Sequence, residues 1–312
     1  MERKSESIRC DQMILITGCA GYIAGHLAKE LLVAGIRVRG FALPEQRELM
    51  EELVEAGLEL FLGDIRKKSD LERAVYEADI VYHLAGIHST VERMREIYVE
   101  GTRNLLELCS TYGVGKVILA SSGAVYGDCQ NTLITEEHRW NRDHPFSEVN
   151  CEMEEVIRDF YERENLEVIT LRIAEVYGSG KLNFFYKKIT EKTQVIGSPG
   201  SYSSRIFIDD LVHILKMAPA KLESGEAYNV SDDCAATLQE FYESLGMVIP
   251  NWVDVTLVQE RIKRSIHGLR ANSIRMSNKK IMSRLSYSLI LPTYKEGIAY
   301  CRQRISLDRE RK

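Results

Sequence analysis

The apolar run MILIT, Met13 to Thr17, passes directly into the stretch GCAGYIAG, Gly18 to Gly25, and this junction restricts the chain to few architectures. A short continuous apolar run suits a strand buried on both faces, and small residues at Gly18, Gly21 and Ala24 have the spacing of a tight turn that opens a helix. Gly18 permits the turn, Gly21 lets backbone amides approach an anion at the helix N-terminus, and Ala24 lets the helix close onto the strand. The junction therefore predicts a dinucleotide-binding turn, with Gly18, Gly21, Tyr22 and Ile23 beside the pyrophosphate.

Alternation of short apolar runs with longer amphipathic segments continues through the first half. Strands are expected at Arg37 to Leu43, Leu58 to Leu62, Asp79 to Ala85 and Lys116 to Ser121, with helices at Gly25 to Ala34, Glu45 to Ala56, Ser69 to Tyr76 and Val91 to Tyr112. Ser69 is read as the cap of the third helix. A further helix, Phe146 to Arg163, and strand, Leu166 to Ile173, complete the rhythm. The expected fold is α/β, a doubly wound parallel Rossmann sheet with a smaller C-terminal substrate-binding region. The organisation that follows is a polar extension over 1–12, a dinucleotide-binding domain over 13–178, and a C-terminal region over 179–312, parts of 205–230 returning to the first domain.

With 312 residues and 45% hydrophobic content the chain can bury a large core. A net charge of -5 gives no broad basic field, which argues against nucleic acid and anionic membranes as partners. The seven cysteines are scattered, odd in number and without paired metal or redox spacing, and no metal site is expected. They read as reduced thiols of a cytoplasmic protein; the sequence shows neither an apolar leader nor a stretch of roughly 18 apolar residues.

Asp64, in LGDI, is placed to accept a hydrogen bond from an adenine amine, and HLAG, His83 to Gly86, ends the fourth strand beside the cofactor path, with Leu84, Ala85 and Gly86 as its cofactor-side residues. Where an acid would select NAD or an arginine NADP, the chain has Ala42 and Leu43, so the choice between the two stays open.

The ordered series TGCAGYIAG, GD at Gly63 and Asp64, HLAG, EGTRNLLELC, SSGAVYG, LRIAEVYGSG, RIFIDDL, YNVSDD and PTYKEG resembles the extended short-chain dehydrogenase/reductases, a group that includes nucleotide-sugar epimerases and dehydratases. The resemblance implies an oxidoreductase-type chemistry on NAD or NADP, a small hydroxylated substrate such as a nucleotide sugar, and a homodimer formed through the helices at Val91 to Tyr112 and Phe146 to Arg163. It also implies that Ser122 hydrogen-bonds the reacting oxygen, that His88 and Arg205 contact substrate, and that Asn229 lies in the matching strand-end motif.

The same resemblance exposes a gap. Its members carry a tyrosine and a lysine at i,i+4 on one helix, the ammonium lowering the phenol pKa and reaching the nicotinamide ribose. Aligned through Pro145, those positions hold Phe146 and Asn150, and Tyr98 stands where an asparagine is common. Some atypical members also lack the pair, and RMSNKKI with PTYKEG resembles such a branch. Asn150 is retained as a cofactor-side residue, and Tyr126, four residues past Ser122, is the substitute acid/base, with His88 and His144 behind it. The Y-x-x-x-K matches Tyr112 to Lys116 and Tyr177 to Lys181 fall outside the required helix and are coincidental. Two functions are consistent with these residues: an epimerase, dehydratase or reductase with a weakened acid/base, or an inactive dinucleotide- or metabolite-binding regulatory protein.

Overall fold

Every residue of Met13–Thr17 is buried, and these five form β1 inside a seven-stranded sheet. The other strands are β2 (Arg37–Ala42), β3 (Glu59–Leu62), β4 (Ile80–His83), β5 (Lys116–Ser122), β6 (Val168–Ile173) and β7 (Ala227–Val230). They lie in the order β7-β6-β5-β4-β1-β2-β3, and β1 runs parallel to both β2 and β4. The doubly wound α/β sheet expected from the alternation is the one observed. Strand order reverses between β1 and β4, so the loops leaving their carboxyl ends open beside each other, the place where such sheets bind ligands. The structure, a computed structural model, describes residues 8–130, 132–180, 195–247, 252–253 and 272–310. Most of the expected 1–12 extension, and Lys181, lie outside them.

Helix α1, Tyr22–Val33, buries Ala24, Leu27, Ala28 and Leu31, the i, i+3, i+4, i+7 stripe of a helix lying on a sheet. It begins before the expected Gly25 because Gly21 already serves as N-cap, with φ -75° and ψ 158°. The expected helix from Glu45 divides into a 3₁₀ turn, Pro44–Met50, and a short α-helix, Glu51–Glu55. Gln46 Oε1 accepts from Leu43 N at 3.2 Å and tightens its first turn. Ser69 is not a cap: the helix is Lys68–Val75, its N-cap is Lys67, and the side chain there makes no capping bond.

Val91 to Tyr112, expected to be one helix, is α-helical over Val91–Arg95 and Gly101–Thr111 with a π turn, Glu96–Glu100, between. Three consecutive residues of this turn, Ile97, Tyr98 and Val99, are buried.

The chain divides into two compact units with interleaved boundaries. The first comprises Met1–Ser121, Val149–Arg172 and Val212–Tyr228, the second Ser122–Glu148, Ile173–Leu211 and Asn229–Lys312. Inside the first, Arg172 binds Glu154 through two nitrogens, with Nη2 to Oε2 at 2.8 Å, and Ser121 Oγ donates to Glu154 Oε1 at 2.5 Å. This pair is buried but hydrogen-bonded, the condition for keeping charge inside a core. Inside the second, distant motifs are tied by backbone groups. Asp210 accepts from Tyr287 Oη, Ile290 N and Leu291 N at 2.6, 2.7 and 3.0 Å. Asn278 Nδ2 donates to Ser231 O and Asp233 Oδ1 at 2.9 and 2.7 Å. Asp232 N donates to Arg205 O at 2.5 Å, so segments RIFIDDL, YNVSDD and RMSNKKI are parts of one hydrogen-bonded frame.

Candidate functional site

Gly18 is held at φ +66°, a conformation that favours glycine. A Cβ there would stand 2.6 Å from Ala85 Cα and 3.0 Å from Leu84 O, so the turn after β1 packs directly on the loop after β4. Gly21 N donates to Gly18 O at 2.8 Å and closes the turn. Beyond it α1 starts with no side-chain cap and no acidic residue in its first turn, which leaves an electropositive helix end beside exposed Gly21 and half-buried Tyr22 and Ile23. Gly86 and His88 are in the facing loop, His88 exposed, with Leu84 and Ala85 half-buried before them. Glycine turn, open helix end and backbone-lined loop fit a dinucleotide's pyrophosphate.

Three side chains from three elements order this region. Thr17 Oγ1 and His83 Nδ1 are 2.7 Å apart, His83 Nε2 and Thr102 Oγ1 2.9 Å, and Thr102 Oγ1 donates to Tyr98 O at 2.5 Å. Since Thr102 has one proton and gives it to Tyr98, it accepts from His83 Nε2–H, and His83 Nδ1 then accepts from Thr17. Burial pushes the His83 pKa down to about 4, consistent with this neutral, fully engaged ring.

Asp64 stands after β3 with its carboxylate gripped by Arg66, whose Nε lies 3.0 Å from both oxygens. That hydrogen bonding holds the Asp64 pKa below its ordinary value and keeps an ionised acceptor. Arg66 Nη1 also donates to Glu96 Oε2 at 2.9 Å. Ala42, which ends β2, is buried and supplies no polar atom from its side chain.

In the second unit, Ser122 is half-buried and its Oγ accepts from Ala124 N at 3.1 Å, starting the 3₁₀ turn Gly123–Tyr126. The bond uses a lone pair and leaves the hydroxyl proton as a donor. Tyr126, the expected acid/base, is 2% exposed, and its hydroxyl donates to Asn229 Oδ1 at 2.7 Å. It is a buried tyrosine whose hydroxyl is hydrogen-bonded to Asn229 of β7.

Arg205, the expected substrate contact, is likewise internal. It is 1% exposed, its guanidinium lies 3.8 Å over the Phe241 ring, and Nη1 donates to Ser203 O at 3.0 Å. Nε stands 3.3 Å from Glu175 Oε2 without hydrogen-bond geometry. Nη2 and Asp232 Oδ2 are buried with no hydrogen-bond partner among the described residues. Desolvation pushes the Asp232 pKa up to about 7 despite the opposing pull of Arg205. Phe146 and Asn150 share the helix Pro145–Glu164 and are buried, 6% and 1% exposed. His144 Nδ1 accepts from Phe146 N at 3.1 Å, as a cap does.

The sequence pattern of the NAD dependent epimerase/dehydratase family matches residues 14–231, from β1 through β7. The chain belongs to this family. UDP-glucose 4-epimerase 2 of Oryza sativa subsp. japonica is 34% identical over 183 residues, which cover 53% of the chain and 45% of the rice protein. The chain thus spans about half the length of such curated relatives. Among solved structures, DesIV, a dTDP-glucose 4,6-dehydratase from Streptomyces venezuelae with NAD and TYD bound, superposes with a TM-score of 0.80 at 21% identity, covering 96% of this chain and 98% of that one. The UDP-glucose 4-epimerase of Thermus thermophilus in complex with NAD gives 0.77 at 24%, covering 93% and 97%. At these identities the structures show a shared fold.

Family membership makes the glycine turn the feature most readily read from sequence. Arg66 and the Thr17, His83 and Thr102 series are not among the residues expected from it. Arg66 has one local signal, a cation two residues after Asp64. His83 is visible in the sequence only as the first residue of HLAG, and its pairing with Thr17, 66 positions away, is brought about by strand order. Among the described residues no group of three or more His, Cys, Asp or Glu could hold a metal ion, and no helix is long and apolar enough to cross a membrane.

Proposed function

We propose that the chain is an NAD-dependent enzyme of the epimerase/dehydratase type acting on a nucleotide sugar, with a weakened acid/base. The observation that carries this is Gly18, fixed at φ +66° against the Leu84–Ala85 backbone beside an uncapped helix start. Gly18, Gly21, Tyr22 and Ile23 would hold the pyrophosphate, Asp64 the adenine, and Leu84 to Gly86 the middle of the dinucleotide. When bound, the nicotinamide supplies hydride acceptance and return.

The chain's own residues then have limited tasks. Ser122 keeps a proton to donate to a substrate oxygen, and His88, exposed in the loop after β4, is the imidazole for substrate contact. Phe146 has no proton to exchange and Asn150 no charge, so the loss relative to a phenol and ammonium pair is on the order of 10² to 10⁴ in rate. Orientation of substrate and the Ser122 hydrogen bond account for the turnover that remains.

Calorimetry with NAD and hydride-transfer assays across a nucleotide-sugar panel test the proposal. The native chain is expected to bind NAD and turn over slowly, and Phe146→Tyr with Asn150→Lys is expected to raise kcat by roughly 10² or more. NAD binding with no hydride transfer in either chain would leave a regulatory binder in place of the enzyme.

A further inference from the structure

We infer that Tyr98 is a positioning residue for dinucleotide binding, acting by holding the loop after β4 against the glycine turn; this rests on the NAD reading above. The Tyr98 hydroxyl donates to Ile87 O at 3.2 Å. Its ring closes on the preceding residue as well, since a Cβ on Gly86 would stand 2.6 Å from Tyr98 Oη and 2.9 Å from its Cζ. One side chain thus fixes the two residues that follow Leu84 and Ala85, the pair against which Gly18 packs.

Tyr98 lies at the centre of the π turn Glu96–Glu100 and is buried there. Both ends of that turn are anchored. At its start Glu96 receives Arg66, which grips Asp64. Just past its end Thr102 donates to Tyr98 O and accepts from His83, the residue before Leu84. Asn104 Nδ2 donates to Ile65 O and Arg66 O, each at 3.2 Å. The loops at 63–66 and at 84–87, assigned to the adenine and to the middle of the dinucleotide, are therefore braced by one helical irregularity. Removing the Tyr98 hydroxyl frees Ile87 O and lets the second loop relax, and binding NAD must then order it again.

The experiment compares the full-length chain with Tyr98→Phe, Gly86→Ala and the double variant, by NAD calorimetry and by hydrogen exchange of the 84–88 amides without nucleotide. Tyr98→Phe is expected to raise the NAD Kd roughly three- to tenfold, to speed exchange in the loop, and to leave kcat at saturating NAD unchanged. Gly86→Ala, whose methyl must displace the hydroxyl, is expected to weaken NAD as well, with a less than additive effect in the double variant. Wild-type affinity and exchange in Tyr98→Phe would overturn the inference while leaving the NAD reading intact, as would strictly additive effects. No NAD heat from the wild-type chain would overturn the NAD reading first, and this assignment of Tyr98 with it.

Discussion

Two buried charged clusters, one in each unit, show opposite arrangements. In the first, Arg172 and Glu154 satisfy each other, and His83 is neutral with both ring nitrogens engaged. In the second, Arg205 and Asp232 lie buried with a donor and an acceptor that are unmatched among the described residues. A closed network specifies one arrangement, whereas an open one carries a desolvation penalty that varies with pH. The first suits a unit that must keep a turn and two loops in register. The second predicts a stability that changes as Asp232 gains or loses its proton.

The largest expected effect breaks the closed network. Glu154→Leu leaves Arg172 buried without its carboxylate and is expected to lower the unfolding free energy by about 3–5 kcal/mol, read by urea titration. A loss below about 1 kcal/mol would show that the pair is not part of the core's support.

Next comes pH. Asp232 has a folded pKa raised from 3.8 to about 7, so its contribution to stability is complete below 3.8 and is lost as pH rises through about 7. His83 has a folded pKa lowered from 6.5 to about 4, so its contribution is present above 6.5 and is lost as pH falls through about 4. The two slopes oppose each other, and separating them sharpens the contrast. Between pH 5 and pH 8, Asp232→Asn should retain about 2 kcal/mol more stability than the wild-type chain does across the same interval. A variant with the wild-type slope would place the Asp232 carboxylate in solvent.

The smallest effect concerns Tyr126. Tyr126→Phe removes one buried hydrogen bond to Asn229 and is expected to cost about 1–2 kcal/mol with turnover changed less than about threefold. A collapse of turnover with stability unchanged would restore Tyr126 as the proton carrier.

Legibility follows chain distance. The β1 turn and α1 can be read because the apolar run, helical spacing and the glycine requirement are local. Residues 146 and 150 can be placed on one helix for the same reason. Tyr126 and Arg205 take up internal positions that spacing does not reveal, because their partners Asn229 and Phe241 are remote in the chain. Tyr98 stands out in sequence as a departure, but its contacts with Gly86 and Ile87, 12 and 11 positions earlier, are set by how the helix packs on the loop after β4.

By itself the sequence determined the strand, turn and helix that open the fold, and the sheet that repeats them, since each rests on contacts within a few residues or on a repeated apolar period. Only the tertiary structure decided which polar side chains are spent on internal partners and which remain to meet a ligand. Thr17 with His83 and Tyr126 with Asn229 become neighbours across 66 and 103 positions, and a hydrogen bond depends on the folded path between its ends.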